Sequence, residues 1–322
     1  MNYIGMDISK LSFDVAIEKA AGYKYYKFGN DVEGFTSLIA LLDKESDHCV
    51  MEASGTYYQK LAVYLQTHQV AVSVVNPLVV RRFCQMRLTR AKTDKKDAMM
   101  LAEYGKTEHP PVWQAAEGFV LEMKQLQAYL EQLNKNRAGY LHQKEAFGQS
   151  PSKSETVEKG INRMLKTLEK EMERIEAQME EIISSHYGQM YEQLQSIPGI
   201  GKKTGRELIV VSGGFSRFGT AKQLSSYIGL SPRIYESGSS VRGKARMCKM
   251  GMSRIRAMLY VCSWSAIKSN AACKALYNRL VERGKAKQVA LIAVANKLLK
   301  QVFAIATKKE FYNKNLSLHP CS

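Results

Sequence analysis

The chain has 322 residues, an ordinary apolar fraction of 45% and a formal net charge of +17. Residues 193–322 contain 23 Lys and Arg against 4 Asp and Glu, whereas residues 1–192 contain 24 against 26, so the positive charge belongs to the C-terminal portion. This density of cations favours a nucleic-acid partner over anionic lipid, because no long amphipathic face accompanies it. Asp7 interrupts the first apolar run, no 18 consecutive apolar residues occur, and six cysteines lack zinc-ligand spacing. A cytoplasmic protein with reduced thiols and no membrane partner is expected.

The first 110 residues alternate strand and helix patterns. Strands are predicted over residues 3–6, 13–17, 23–28, 49–51 and 70–75, and helices over residues 32–42, 56–67 and 94–104. Three strands followed by alternating helix and strand predict an α/β fold, in which helices cover a mixed sheet. This is the element order of an RNase H-like domain.

Residues 119–183 show heptad patterns instead. Apolar residues recur at steps of three and four from Phe119 to Leu133 and from Ile161 to Ile182, as in coiled-coil seams. A polar loop at residues 148–155 separates the two segments, and Ser152 matches a capping box for the second helix. The segments are predicted to form a helical hairpin or to pair with another chain. The alternative is that their apolar heptad residues pack on a neighbouring domain.

From residue 194 the chain is basic, rich in glycine and helical. The run Ile197-Pro-Gly-Ile-Gly201 resembles a helix-hairpin-helix motif, in which amides at a helix N-terminus hold a phosphate. Nucleic-acid binding is therefore predicted for Gly199, Gly201, Lys202 and Lys203. The alternative is a tight turn that binds no ligand, because such a turn can have the same sequence.

Four acidic residues are the main candidates for chemistry. Asp7 lies within an apolar strand and Glu52 ends another, where a carboxylate is costly without a partner or a metal. Asp94 and Asp97 are three residues apart and share one helix face. Convergent carboxylates suit Mg²⁺, and paired ions can activate a nucleophile and stabilise the leaving oxygen in phosphoryl transfer. Each acid alone is more commonly structural, so the prediction depends on their combination.

Basic residues precede and surround the last pair of acids and are predicted to attract a phosphate backbone. They are Arg81, Arg82, Arg87, Arg90, Lys92, Lys95 and Lys96. An ordinary solvated helix is the alternative.

Residues 235–243 are the second chemical candidate. Three serines among glycines could present a hydroxyl to a phosphodiester, and nearby cations could stabilise the transferring phosphoryl group. These residues are Ser237, Ser239 and Ser240, with Arg233, Arg242, Lys244 and Arg246. Because serine is a weak nucleophile without a base or a metal, the pattern alone does not choose among the three.

Six segments, in this order along the chain, resemble the DEDD transposases of insertion-sequence family 110. That family includes bridge-RNA-guided recombinases and is related to the Piv-type DNA invertases. The segments are residues 4–10, 52–57, 76–77, 92–98, 197–201 and 235–243. The resemblance implies a RuvC-like Mg²⁺ site at Asp7, Glu52, Asp94 and Asp97, with Ser237 as the nucleophile. It also implies a covalent phosphoserine link to DNA, strand exchange through a Holliday-type junction, and a non-coding bridge RNA that pairs with donor and target DNA.

The expected layout is a RuvC-like catalytic domain at residues 1–115, a coiled coil at 116–190 and a basic, mainly helical transposase domain at 191–322. We predict a homo-oligomer, a dimer or tetramer, in which acids of one protomer work with the serine of another. The alternatives are a hydrolytic junction resolvase that uses water with the same acids, a sugar-kinase or actin-like ATPase, and a non-catalytic nucleic-acid scaffold.

Overall fold

The computed structural model describes residues 1–20, 22–88, 93–233, 236–237, 241–242, 246–247 and 250–313. It divides into two compact units, Met1–Ala116 and Glu117–Ser322. Each unit has its own hydrophobic core.

A five-stranded mixed sheet forms the centre of the first unit. Its strands are β1 (Asn2–Ile8), β2 (Ser12–Lys19), β3 (Gly22–Gly29), β4 (Asp47–Glu52) and β5 (Ala71–Val75), in the order β3-β2-β1-β4-β5. The first three strands are antiparallel neighbours, whereas β4 runs parallel to both β1 and β5. The predicted mixed sheet is confirmed.

Four helices accompany this sheet: α1 (Val32–Ile39), α2 (Tyr58–Thr67), α3 (Pro77–Met86) and α4 (Asp94–Glu108). The basic segment that contains Arg81 thus forms a helix, α3. Asn76 caps it by accepting a hydrogen bond from the Leu78 amide, and Pro77 follows at the first helical position, where its missing N–H costs nothing. Alternate residues of β1 and β2, among them Ile4 and Phe13, are fully buried in the core.

A buried histidine joins two strands of this sheet. The Nε2 atom of His48 on β4 lies 2.8 Å from the Ser73 hydroxyl oxygen on β5, and that hydroxyl is 2.7 Å from the carbonyl oxygen of Pro111. Since the carbonyl can only accept, Ser73 donates to it and His48 donates from Nε2. The Nδ1 atom of His48 is buried without a hydrogen-bond partner. The folded protein therefore favours the neutral form of the His48 imidazole, and burial lowers the pKa of His48.

We expect His48 to make the protein less stable as the pH decreases. The unfolded chain takes up the proton below about pH 6.5, whereas the folded chain resists it, so the stability present above that pH is lost below it. His48→Gln should reduce the loss in unfolding free energy between pH 7.5 and 5.5 by about 1 kcal/mol. Urea unfolding measures this, with the exposed His142→Gln as control. Equal pH slopes in wild type and His48→Gln would contradict the assignment.

The second unit is mainly helical, as predicted. Its elements are α5 (Gly118–Gly148), α6 (Glu155–Gln195), α7 (Lys202–Ser212), α8 (Ala221–Ile228), β6 (Pro232–Arg233), β7 (Glu236–Ser237), β8 (Val241–Arg242), β9 (Arg246–Met247), α9 (Ser253–Ser269), α10 (Ala271–Glu282) and α11 (Lys287–Lys308). The short strands pair as β6 with β9 and β7 with β8. One hydrophobic core includes residues of α5, α6, α7 and α11.

The two heptad segments form long helices that pack side by side. The Arg137 guanidinium near the middle of α5 bonds to Glu169 of α6 at 3.1 Å, and Lys144 nearer the loop bonds to Asn162 at 2.7 Å, so the pair is an antiparallel hairpin. Its coiled-coil geometry stays a prediction. The capping box at Ser152 is wrong, because the residue before α6 is Ser154 and its side chain makes no capping hydrogen bond.

Within the described part of the chain, α11 alone is long and apolar enough to cross a membrane. Half of its apolar window is buried, and Leu291, Val294 and Leu298 are fully buried in the core of the second unit. Its apolar character therefore matches the role of a core helix.

Candidate active site

The close packing of α4 on β1 positions three of the four predicted acids. Gly5 lies two residues before Asp7 and therefore on the same face of β1. A Cβ atom at Gly5 would overlap the carbonyl oxygen of Ala98 and the amide nitrogen of Ala102, both in α4. The Thr93 hydroxyl accepts a hydrogen bond from the Lys96 amide at 3.3 Å and so begins α4 directly before Asp94. Asp94 and Asp97 consequently occupy its first turn.

Asp7 carries the electrostatic signature of a crowded acidic site. Its pKa is raised from 3.8 to about 6, first because burial disfavours its charged form. The negative charges of Asp97, Asp94 and Glu52 raise it further, in that order. The three other predicted acids, on α4 and at the end of β4, thus lie near enough to Asp7 on β1 for their charges to act on it.

The helix α3 also borders this region. Burial raises the pKa of the Cys84 thiol on α3, and the charges of Asp97 and Glu52 raise it further. The predicted phosphate-attracting residues Arg81 and Arg82 are exposed on the same helix, and Arg87 is exposed at its end. Arg90 and Lys92 lie outside the described residues.

One further acid near the site was not predicted. Asp14 of β2 pairs directly with Asp7 in the strand register, and its charge also raises the pKa of Asp7. It lies 3.3 Å from the ammonium group of Lys27, which is its register partner on β3. The signal was present in the sequence, because Asp14 interrupts an apolar strand as Asp7 does.

The donor set suits a hard divalent cation. Four carboxylates supply the oxygen ligands that Mg²⁺ prefers, and a cation among them would offset the repulsion that raises the pKa of Asp7. Among the described residues, no three His, Cys, Asp or Glu side chains are close enough together to ligate one ion. The four acids fit Mg²⁺ by donor chemistry and mutual repulsion, and ligation of one ion by three of them would require their side chains to move closer together.

The predicted hairpin connects α6 to α7. Gly199 has a φ of +106°, a left-handed conformation that favours glycine, and a Cβ there would press on Ala266. Gly201 is exposed directly before α7. The two lysines face acids of α6: Lys202 lies 2.9 Å from Glu180 and Lys203 lies 3.7 Å from Glu176. Phosphate binding by this hairpin stays a prediction, and a phosphate would have to compete with these two glutamates.

The serine segment lies in the second unit. Ser237 is the last residue of β7 and pairs with Val241 of β8, and Glu236 pairs with Arg242. Arg233 of β6 pairs with Arg246 of β9. Ser239, Ser240 and Lys244 lie outside the described residues.

We expect Gly5→Ala to destabilise the first unit by about 3 kcal/mol, since even one methyl group must push α4 away from β1. Displacement of α4 would also move Asp94 and Asp97 away from Asp7, so any activity of the acidic site should decrease as well. Urea unfolding and an activity assay measure the two effects. Gly118→Ala is the control, because a Cβ at that helix start meets no atom within 4 Å. Wild-type stability of Gly5→Ala would refute the packing argument.

Comparison with known proteins identifies the class of this chain. A family model for DEDD transposases of the IS110 type matches residues 4–147, and a model described as the transposase IS116/IS110/IS902 family matches residues 191–278. The pilin gene-inverting proteins of Moraxella lacunata and Moraxella bovis are each 30% identical over 326 aligned residues, which cover 98% of both chains. The chain belongs to the IS110 family of DEDD transposases and recombinases. A 43.6 kDa protein of insertion element IS110 from Streptomyces coelicolor is 28% identical over 44% of this chain and 34% of its own length.

Membership settles the general activity of this recombinase. It is an enzyme of DNA transposition and recombination, and DNA is its partner. The DEDD domain implies an RNase H-like fold, in agreement with the mixed sheet of the first unit. The first matched region contains the four crowded acids, and the second contains Ser237. DEDD transposase domains generally depend on divalent metals, so a metal-dependent reaction is expected at these acids.

Proposed function

We propose that this recombinase cuts and rejoins DNA in a Mg²⁺-dependent reaction through a covalent phosphoserine at Ser237, with a bridge RNA selecting donor and target. The observation that carries the proposal is that Asp7 is partly buried and has Asp97, Asp94 and Glu52 around it. Burial first, and then these three charges, raise the pKa of Asp7 to about 6. A partly buried acid that is repelled by neighbouring acids is costly in a fold and is typical of functional sites. The nearby cations Arg81 and Arg82 would draw the phosphate backbone towards them.

Asp7, Glu52, Asp94 and Asp97 would hold Mg²⁺ in this scheme. Bound there, the metal would offset charge on the phosphodiester and favour the deprotonated serine hydroxyl. The Ser237 oxygen forms a bond to phosphorus and releases its proton to solvent, while the bond from phosphorus to a deoxyribose oxygen breaks and that oxygen takes up a proton from solvent to leave as an alcohol. A deoxyribose hydroxyl of the new partner strand then reverses these steps and frees the serine. Because one phosphoester bond replaces another at each step, no nucleotide cofactor is needed.

The remaining parts of the proposal concern assembly. We assign catalysis to residues 1–115, protomer pairing to the helical hairpin at 116–190, and the serine and much of the nucleic-acid binding to 191–322. The last region has the cation excess for contacts with DNA and RNA backbones. We further propose a dimer or tetramer in which acids of one protomer serve the serine of another. The enzyme would act at the nucleoid in the prokaryotic cytoplasm.

Reconstitution tests the reaction. Purified protein is mixed with donor DNA, target DNA and RNA transcribed from the end of the element, and junction products are scored by amplification and sequencing. Recombinant junctions are expected only when both Mg²⁺ and RNA are present. Junctions formed in EDTA would contradict the metal requirement, and junctions formed at the same sites without RNA would contradict guidance by RNA.

Mixing two inactive variants tests the shared site. Asp7→Asn and Ser237→Ala proteins should each be inactive alone. Their mixture should recover activity, because in a mixed oligomer the acids of the Ser237→Ala protomer can work with the serine of the Asp7→Asn protomer. If each variant assembles with wild-type chains but the mixture stays inactive, each protomer uses its own residues.

A further inference from the structure

A groove lies beside the crowded acids in the first unit. The edge of the sheet forms its floor and the first turn of α4 forms one wall. Its volume is about 490 Å³, within the range of pockets that hold small organic ligands. The residues that line it are Asp14, Tyr25, Tyr26, Lys27, Thr93, Asp94 and Lys95.

The strand register shows how this groove relates to the acids. Asp7, Asp14 and Lys27 are direct neighbours across β1, β2 and β3, so their side chains lie on the same face of the sheet. Tyr25 lies two residues before Lys27 on β3, so its side chain is on the same face of the sheet. Asp94 lines the groove and raises the pKa of Asp7. The groove therefore begins at the acids and runs to the sheet edge.

The exposed chemistry of the groove is one aromatic ring with lysines near it. Tyr25 is 37% exposed, and its hydroxyl lies 3.6 Å from the sulfur of Met99 on α4. The Lys95 ammonium is 6.0 Å from the centre of the Tyr25 ring. Lys27 pairs with Asp14, yet 60% of its side chain is exposed. A ring for stacking beside cations is the combination with which proteins bind single-stranded nucleic acid.

Two neighbouring residues on β3, Lys24 and Tyr26, form a cation–aromatic pair that has a structural role. Lys24 lies 5.1 Å from the centre of the Tyr26 ring, which forms a similar cation–aromatic pair. Tyr26, however, is half-buried against the hydrophobic core and stacks near Phe28. Both tyrosines line the groove, but Tyr25 is exposed, whereas Tyr26 packs against the core.

We propose that this groove binds one nucleotide of a single-stranded segment next to the phosphodiester at the acids. The base stacks on Tyr25, and Lys27 and Lys95 contact the flanking phosphates. This inference rests on the proposed function, which places the scissile phosphodiester at Asp7. The strand is either DNA opened for cleavage or guide RNA, which present the same base and phosphate chemistry.

Photo-crosslinking of the full-length protein tests this directly. Oligonucleotides with 5-iodouracil at successive positions are bound in EDTA, irradiated and mapped by mass spectrometry, with one series of DNA and one of RNA. A crosslink on Tyr25 from one register position is expected, and the series that gives it identifies the strand. Crosslinks confined to other residues in both series would overturn the proposal.

Substitutions give an independent measure. With 2-aminopurine at the register position that crosslinks, Tyr25→Ala should weaken binding about tenfold through lost stacking and Tyr25→Phe should keep wild-type affinity. Lys95→Ala should weaken binding, whereas Lys24→Ala on the opposite face of β3 should not. Equal affinity of Tyr25→Ala and wild type, both with unchanged thermal unfolding, would refute the stacking role.

The two proposals fail separately. If Asp7→Asn abolishes recombination but Tyr25 neither crosslinks nor affects binding, the acids keep their role and only the groove is wrong. If Asp7→Asn remains active while Tyr25 crosslinks, the groove binds nucleic acid for a purpose other than cleavage at these acids.

Discussion

Replacement of Asp7 by Asn is expected to abolish recombination and, without metal, to make the protein more stable. In the folded chain the ionised Asp7 carboxylate is partly buried and repelled by Asp97, Asp94 and Glu52. The neutral amide removes that cost, which amounts to about 1–2 kcal/mol once solvent screening is allowed for. The same change removes a proposed metal ligand, and several kcal/mol of lost transition-state stabilisation corresponds to about 10³-fold in rate.

The stability that Asp7→Asn gains over wild type should increase with pH. The folded pKa of Asp7, about 6, lies above the unfolded value of 3.8, so the folded chain binds the proton more tightly. The cost of the charged Asp7 is therefore absent below about pH 3.8 and fully present above about pH 6. The stability difference between Asp7→Asn and wild type should grow through this window. Urea unfolding in EDTA at several pH values measures it.

Mg²⁺ should reverse the order of stability. A cation that binds only the folded chain stabilises it by mass action, and this gain requires an intact carboxylate set. Millimolar Mg²⁺ should raise the unfolding midpoint of wild type and leave that of Asp7→Asn almost unchanged. Glu108→Gln, at the exposed far end of α4, removes one negative charge and should respond as wild type does. Equal responses of all three proteins to Mg²⁺ would reject a metal site at Asp7.

All the strands of the first unit and three of its four helices could be predicted because each has a strong local pattern, whereas α3 was only the alternative interpretation of the basic segment. The strands around Ile4 and Phe13 are short apolar runs, and Thr93 before Asp94 has the chemistry of a helix start. Asp7 was noticeable for the same reason, since a charge within an apolar strand has a cost that sequence alone reveals. Local rules therefore located both the elements and the acids on them.

What the sequence did not reveal depends on contacts between distant residues. The need for glycine at position 5 arises from Ala98, which lies 93 positions later in the chain on another element. The pairing of Lys202 and Lys203 with acids of α6 is visible only when the two helices are placed together. Asp14 could have been found by the argument applied to Asp7, but its lysine partner becomes apparent only through the register of β2 and β3.

The heptad region shows a mixed outcome for the same reason. Its apolar spacing correctly predicted two long helices with a loop between them. The start of α6 was misplaced, because only Ser152, with Glu155 three residues later, matches a capping box, whereas the helix begins after Ser154 without a side-chain cap. A match to a capping pattern therefore does not by itself fix where a helix begins.

Ser237→Ala is expected to remove every covalent protein–DNA product and to reduce recombination about 10³-fold or more, because no other group can form the phosphoserine. The two neighbouring serines make the prediction specific to this position. Ser237 ends β7 opposite Val241 of β8, and this pairing fixes its place in the strand register. Ser239→Ala and Ser240→Ala should keep the covalent product, since the proposal assigns them no bond to phosphorus.

Denaturing electrophoresis of end-labelled DNA after reaction in Mg²⁺ separates the serine mechanism from hydrolysis. Wild type, Ser239→Ala and Ser240→Ala should each give a protease-sensitive band of protein-linked DNA that Ser237→Ala lacks. Ser237→Ala should still bind the same DNA, because the change removes one oxygen and no charge. A water nucleophile predicts the opposite pattern, in which Ser237→Ala cleaves at the wild-type rate and wild type leaves free DNA ends. Asp7→Asn should give neither product, since both chemistries require the acids, and it therefore marks loss of the site rather than loss of the nucleophile.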